Sequence, residues 1–450
     1  MAQPSALGSK DVGKLLWDFS VPAITGMLVN ALYNVVDSIF VGHGVGAVGL
    51  AAVTIAFPIM IVFMAFGMLI GIGATTLVSI RLGQQKKEEA EKILGNALAL
   101  ILVLAITITI GLELFLDPVL VALGAGPDVL PYARDFIHII LLGSVFMFTG
   151  FGLNNIIRAE GHPKIAMMTM LISALVNTIL NPLFIFGMGM GIKGSALATV
   201  ISQSISAFWV IAHFRGSHSF LKLRAKNIVI RRDISLSILA MGSSSFFMQL
   251  AASIVTWLLN YTLQAYGGQT AVAAIGVINR VSTLVLMPLF GISQGVQPII
   301  GYNYGARNFG RVKEAVKKGA MAATAIAIAG FILIQLFDRQ IIRLFSNEPE
   351  LIALGAAGLR IFLFMLPVIG FQVVGTALFQ AIGKPTHSLF LSLSRQVLIL
   401  IPLVLVLPRM WGLQGVWLAG PAADLGSAIL TAALVANELR RLRREEDEVR

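Results

Sequence analysis

The sequence predicts an all-α integral membrane protein of twelve transmembrane helices, arranged as two parallel six-helix repeats. Three observations carry that expectation. The chain of 450 residues is 57% hydrophobic and 12% charged, with a mean hydropathy of +0.87, far more apolar side chain than a soluble fold of this length needs. The apolar residues gather into segments of about 20 or more, long enough as helices to cross about 30 Å of hydrocarbon. The chain also repeats itself at an offset of 222: Ala51-Ala52 recurs as Ala273-Ala274, Gly73 and Gly83 as Gly295 and Gly305, and Ala159-x-Gly161-x-Pro163 as Ala381-x-Gly383-x-Pro385.

The spans follow in order. The first repeat places them near residues 17–41, 49–80, 93–116, 132–157, 164–186 and 193–214. A basic, polar interruption at 215–233 comes next, with Arg215, Lys222, Arg224, Lys226, Arg231 and Arg232. The second repeat places spans near 234–264, 270–302, 319–342, 353–379, 386–408 and 412–438. Two lobes of six helices are therefore expected, 1–225 and 226–450. An even number of spans returns the chain to its starting side, so both copies insert the same way up. A lipid-spanning β-barrel would need alternating polar and apolar residues, which are absent. Prolines at 22, 58, 182, 288, 298, 367, 402 and 421 predict bends. Gly67-xxx-Gly71, Gly187-xxx-Gly191 and Gly291-xxx-Gly295 predict close helix packing.

The net charge of +11 does not imply a nucleic-acid partner, because the basic residues are sorted by side. Arg134, Lys193, Arg339, Arg343, Arg360 and Arg409 fall at one set of span ends, and Arg280 and Arg395 fall inside spans. The remainder sit in the amino-terminal segment, the tail and the loops after spans 2, 4, 6, 8 and 10. The positive-inside rule then sets both termini in the cytoplasm and the protein in the cytoplasmic membrane. No cleavable signal is evident. The absence of cysteine excludes disulfides and Cys-based metal sites.

Two motifs resemble enzyme signatures in the wrong setting. Gly291-Ile-Ser293-Gln-Gly295 fits a nucleophile elbow but lies inside a membrane span. Gly189-Met-Gly-Ile-Lys-Gly194 fits a dinucleotide fingerprint but bridges two spans with no βαβ unit around it. No phosphate-binding G-x-x-x-x-G-K-[ST] is present, so transport would be ion-coupled rather than ATP-driven. No enzyme activity and no cofactor are expected.

A charge at the bilayer centre costs roughly 2.5–3.5 kcal/mol on insertion scales, so ionisable residues inside spans mark functional candidates. Asp37 leads them. Helical spacing puts Asn177, Asn181 and Thr199 at similar depth, with Tyr33 one turn before Asp37. A carboxylate ringed by amide and hydroxyl groups can bind H⁺, or Na⁺ through oxygen ligands. The repeat supplies a control, because Asp37, Asn177, Asn181 and Thr199 fall on Leu259, Val397, Ile401 and Gly420 in the second copy. The simpler reading is that Asp37 satisfies a neighbouring helix. Arg280, Arg395 and Asp424 form a second-lobe polar set. Asp424 either neutralises one of the arginines or serves as a second proton site or substrate-cation contact.

With these residues in hand, the chain resembles the multidrug and toxic compound extrusion (MATE) transporters. The likeness covers nearly all of it and rests on the twelve-span duplication and three stretches: Tyr33-Asn-Val-Val-Asp37-Ser-Ile-Phe-Val-Gly42, Arg158-Ala-Glu-Gly161-His-Pro-Lys164 and Gly301-Tyr-Asn-Tyr-Gly305-Ala-Arg307. The resemblance implies two lobes that alternate in access and export of cationic or amphiphilic small molecules in exchange for H⁺ or Na⁺. It also implies a coupling role for Asp37, with Asn177, Asn181, Thr199 and Asn154 lining the same pocket. Relatives often carry Asp where this chain has Asn181. A single carboxylate gives Na⁺ less charge to pair with, which favours H⁺. Gln249 and Gln372 stand uncharged where some members carry acids. A lipid or lipid-linked-sugar flippase is the alternative, and a monomer surrounded by lipid is expected.

Overall fold

The computed structural model describes residues 5–217 and 219–449. Among these residues there is no strand, and nearly all the chain is helical. The first repeat comprises α1 (Val12–Gly44), α2 (Ala47–Gly83), α3 (Lys87–Leu114), α4 (Leu130–Leu142 plus Ser144–Ala159), α5 (Pro163–Gly187) and α6 (Ile192–Arg215). The second comprises α7 (232–267), α8 (269–305), α9 (Phe309–Arg343), α10 (Pro349–Phe362 plus Leu366–Ala381), α11 (385–411) and α12 (412–448). The twelve expected spans are all present. Two continuous helical runs hold two spans each, broken by non-helical backbone at Gly268 and at Trp411–Gly412. Two further spans are bent pairs, by 55° in α4 and 48° in α10. The protein is thus a multi-pass membrane protein.

The duplication is written into the backbone. Positive φ occurs at Gly46 and Gly268, Gln85 and Arg307, Gly161 and Gly383, and Gly191 and Gly412. Each pair is separated by 221 or 222 residues and lies at the same junction between spans. Left-handed backbone is where glycine is favoured, so the matched glycines of the two copies mark turns that both must make. The fourth span of each copy breaks at the same place, Gly143 in α4 and residues 363–365 in α10.

Two compact units are present. One comprises residues 1–9 and 25–246, and the other 10–24 and 247–450. In the first unit, α2 and the early turns of α7 cross so closely that a Cβ on Gly73 would sit 2.9 Å from the carbonyl carbon of Ile238. A Cβ on Gly242 would meet the Cα of Leu69 at 2.8 Å. In the second unit, the early turns of α1 make the equivalent crossing with α8. There a Cβ on Gly291 would sit 3.0 Å from the Cα of Ile24, and one on Gly295 3.0 Å from that of Ser20. The Gly291-xxx-Gly295 spacing therefore marks close packing, as small residues do between membrane helices. The same contact accounts for the glycines of the G-x-S-x-G string. Gly67 and Gly71 also pack closely, against Phe151 and the backbone of Gly152 on α4. Gly187 and Gly191 do not: one ends a π-helical turn and the other has φ +57 in the turn before α6.

Buried polar groups fasten the inter-repeat segment to the first unit. Glu160, fully buried, accepts hydrogen bonds from Ser219 Oγ at 2.8 Å and from the Phe220 backbone N–H. Glu91 accepts the Lys222 N–H at 3.1 Å and pairs with Arg224 at 3.1 Å. Asn96 Nδ2 donates to the Val229 carbonyl at 3.0 Å. Satisfying each buried carboxylate this way avoids the penalty of an unpaired charge.

Candidate functional site

Three helices of the first unit converge on Asp37. Near its end, α1 meets the π-helical last turn of α5 through Phe40 and Phe186, whose ring centroids are 6.4 Å apart. The start of α6 closes on the same turn because residue 194 is glycine; a Cβ there would sit 2.9 Å from the Phe184 carbonyl carbon. That approach brings Ser195 to the cluster. Wider π turns inside α-helices commonly accompany functional sites, and this one begins directly after Pro182.

Asp37 Oδ1 accepts two hydrogen bonds, one from Asn181 Nδ2 and one from Ser195 Oγ at 3.1 Å. Asn181 and Ser195 are fully buried, and Asp37 is half-buried. One turn away, Asn177 Nδ2 donates to Thr199 Oγ1 at 3.2 Å, both buried. The pairs 181 with 195 and 177 with 199 are successive rungs of an antiparallel α5–α6 contact. Tyr33, four residues before Asp37 on α1, falls in register with the second rung. The cluster thus has two layers, Asp37–Asn181–Ser195 and, one turn away, Asn177–Thr199. Asn181 Oδ1 and Asn154 Oδ1 are buried acceptors with no hydrogen-bond partner.

Of the residues singled out in the sequence, Asp37 meets Asn181 and Asn177 meets Thr199, while Asn154 on α4 is buried with its Oδ1 bonded to none of them. Ser195 was missed. Its signal was present in the repeat, since Gly194-Ser195 is echoed by Gly415-Val416, the same polar-to-apolar change that singles out the other cluster residues.

The second-lobe set divides. Arg395 Nε donates to Asp424 Oδ1 at 2.5 Å, with Asp424 2% exposed and the Arg395 side chain 33% exposed. One turn along α12, Ser427 accepts a hydrogen bond from Gln372. Arg280 on α8 is exposed and takes no part in that pair. Gln249 is half-buried on α7. Among the described residues no group of three or more His, Cys, Asp or Glu side chains gathers to hold a metal, so any cation at Asp37 would rely on amide and hydroxyl oxygens.

Comparison with known proteins agrees with this architecture. The MatE family profile matches residues 22–183 and again residues 244–406, two segments that begin 222 residues apart. The chain is 28% identical over 439 residues to the multidrug export protein MepA of Staphylococcus haemolyticus, which covers 95% of this chain and 94% of that protein. Among solved structures, the MATE multidrug transporter DinF-BH is similar at a TM-score of 0.89 and 42% identity, covering 96% of both chains. An outward-facing multidrug resistance MATE family transporter of the MOP superfamily gives a TM-score of 0.91 at 27% identity, over 97% of this chain and 98% of that one. Matched by the family profile in both halves and by fold along almost its whole length, the chain belongs to the MatE family, the multidrug and toxic compound extrusion transporters.

Proposed function

We propose that this protein is a multidrug efflux antiporter of the cytoplasmic membrane, with both termini cytoplasmic, exporting organic cations or amphiphilic drugs in exchange for a proton carried by Asp37. The substrate class follows from its relatives, a multidrug export protein and a multidrug transporter. The hydrogen bonds around Asn181 support the proton as the coupling ion.

A primary amide both donates and accepts, and so does a neutral carboxyl group. Asn181 Nδ2 already donates to Asp37, while its Oδ1 is buried and unpartnered. An O–H on Asp37 would supply that missing donor. The protonated carboxyl and the amide then satisfy each other at two points, and the orphaned acceptor, worth about 1–3 kcal/mol, is relieved. A sodium ion would instead meet donor hydrogens from Asn181 Nδ2 and Ser195 Oγ at the carboxylate oxygen, with one negative charge to offset its own. Proton release restores the anion, and coupling requires only that the two access states hold the proton with different affinity.

The test is transport of a fluorescent cation by the purified protein in vesicles, driven separately by a pH gradient and by a Na⁺ gradient. Transport is expected under the pH gradient alone. A response to Na⁺ with none to pH overturns the proton assignment, and no transport under either gradient overturns the efflux reading.

A further inference from the structure

The inter-repeat segment is bound to the first unit by its backbone and leaves selected side chains outside. Asn96 on α3 uses both ends of its amide there. Its Nδ2 donates to the carbonyls of Val229 at 3.0 Å and Arg231 at 3.4 Å, and its Oδ1 accepts from Ser235 Oγ at 3.0 Å. Gly95 lets Asn227 lie against the helix, where a Cβ on the glycine would sit 2.7 Å from the Asn227 Cβ. With the backbone held, Val229 and Ile230 remain 51% and 46% exposed. Lys226, Arg231 and Arg232 are exposed beside them, and no ion pair among the described residues uses these cations. Arg224 is already paired with Glu91. The one acid between 224 and 233 is Asp233, in the first turn of α7, where the helix dipole favours it.

The helix α3 fixes the depth of this strap in the membrane. Between Lys92 and Glu113 it carries no charge over the 20 residues 93–112, about 30 Å of helix and so the thickness of the hydrocarbon. Asn96 is the fourth of them, one turn inside the edge. At 3.6 residues per turn, Asn96, Val103, Thr107, Ile110 and Leu114 share roughly 60° of α3. The three aliphatic side chains of that stripe are 50%, 57% and 72% exposed, and Thr107 returns its hydroxyl to the Val103 carbonyl at 2.8 Å, as a hydroxyl without water to bond does. The stripe faces lipid, and the strap crosses its foot. Val229 and Ile230 therefore lie at the depth where hydrocarbon meets headgroups, and Arg231 and Arg232 are long enough to extend to the phosphates.

We propose that residues 226–232 form a docking site for anionic phospholipid in the leaflet at this end of the spans, with Val229 and Ile230 entering the acyl region and Lys226, Arg231 and Arg232 receiving the negatively charged headgroup. Water over the segment would leave two large aliphatic side chains uncovered. A neutral lipid would cover them but give the three cations no counter-charge. An anionic lipid satisfies both, and basic residues beside a span attract it electrostatically. The site is independent of the efflux reading, since it involves neither Asp37 nor a transported substrate.

The chain has no cysteine, so a single fluorophore can be placed at will on the full-length protein. Ile230→Cys and, as a reference on the α3 stripe, Val103→Cys are labelled with bimane and reconstituted in phosphatidylcholine vesicles. Each is quenched by phosphatidylglycerol or phosphatidylcholine bearing a nitroxide on the acyl chain. The probe at 230 should favour phosphatidylglycerol by about tenfold in relative association. That preference should fall towards one in the K226Q/R231Q/R232Q background and in 1 M salt, where screening shortens the reach of the charges to about 3 Å. The probe at 103 should be quenched alike by both lipids in every background, which reports a folded, inserted protein. No quenching at 230 while 103 is quenched places the segment in water and overturns the proposal. Equal quenching at 230 by the two lipids overturns the anionic partner, and a preference that survives the triple change overturns the assignment to these cations. No quenching at 103 overturns the lipid-facing stripe and the proposal with it.

Discussion

Replacing Asp37 by asparagine isolates the charge from the architecture around it. The new amide keeps an acceptor oxygen where Asn181 Nδ2 and Ser195 Oγ donate, so the cluster loses a charge and a titratable proton but not its connections. Charge-assisted hydrogen bonds are roughly twice as strong as neutral ones, and the two weakened bonds together remove about 1–2 kcal/mol, which leaves a foldable protein. The effect on transport is larger. Asp37 is the one carboxylate in the cluster, so the proposed mechanism would carry one proton per cycle. Each pH unit then contributes about 1.36 kcal/mol, enough to sustain a roughly tenfold gradient of a monovalent cation. Because one positive charge enters as another leaves, membrane potential adds nothing to that exchange. The assay is steady-state accumulation of a monovalent dye in vesicles at stepped pH gradients. The logarithm of the dye ratio should rise with a slope of about one in wild type and zero in D37N. A slope near two in wild type, or a slope of one surviving in D37N, refutes the single-carboxylate mechanism.

Other consequences can be checked alongside. Ser195→Ala removes the 3.1 Å hydrogen bond to Asp37, about 1 kcal/mol, so the initial rate of proton-driven transport should fall about fivefold while the thermal midpoint drops by only about one or two degrees. An unaltered rate removes Ser195 from the site. Gly242→Ala would push a methyl to 2.8 Å from the Leu69 Cα. Overpacking against backbone costs about 1–3 kcal/mol, so the thermal midpoint should drop by a few degrees, and no drop contradicts the close crossing. Arg395→Met leaves Asp424 buried without its partner and should destabilise by about 3 kcal/mol, with the double change R395M/D424L recovering most of it. If the double variant stays as unstable as the single, or loses proton-driven transport, the pair is more than a neutralising bridge. Asp11 caps α1, and its carboxyl lies below the usual aspartate value of 3.8, chiefly because the Lys14 backbone N–H donates to it at 2.9 Å. A lowered folded value means that the cap's contribution is complete above pH 3.8 and is lost as pH falls through the folded value. The midpoint difference between wild type and D11N should be present at neutral pH and close in strongly acid solution, and a difference constant across that range contradicts it.

The spans were legible because bilayer thickness imposes a length on any apolar helix, and the repeat was legible because turns that need left-handed backbone keep their glycines. Gly161 and Gly383, and Gly191 and Gly412, carry positive φ in both copies. Asp37, Asn177, Asn181 and Thr199 stood out for the opposite reason: the second copy replaces each with an apolar residue or glycine, so the fold alone does not ask for them. Ser195 obeyed the same rule but sat inside a motif that matched well elsewhere. Spacing could not choose a partner for Asp424, since Arg280 and Arg395 both lie within spans, and only the packing of α11 on α12 selects Arg395.

The sequence by itself determined a twelve-helix duplicated membrane protein and a polar cluster confined to its first half, because hydropathy, turn geometry and the comparison of two copies are local properties of the chain. The tertiary structure decided what those residues do to one another. It brought Ser195 to Asp37 through the glycine-permitted approach of α6 to α5, left Asn181 Oδ1 buried without a donor, paired Asp424 with Arg395, and left Arg280 exposed on α8. Hydrogen bonds and exposure depend on which helix faces meet, and those contacts join residues as far apart in the chain as 37 and 195.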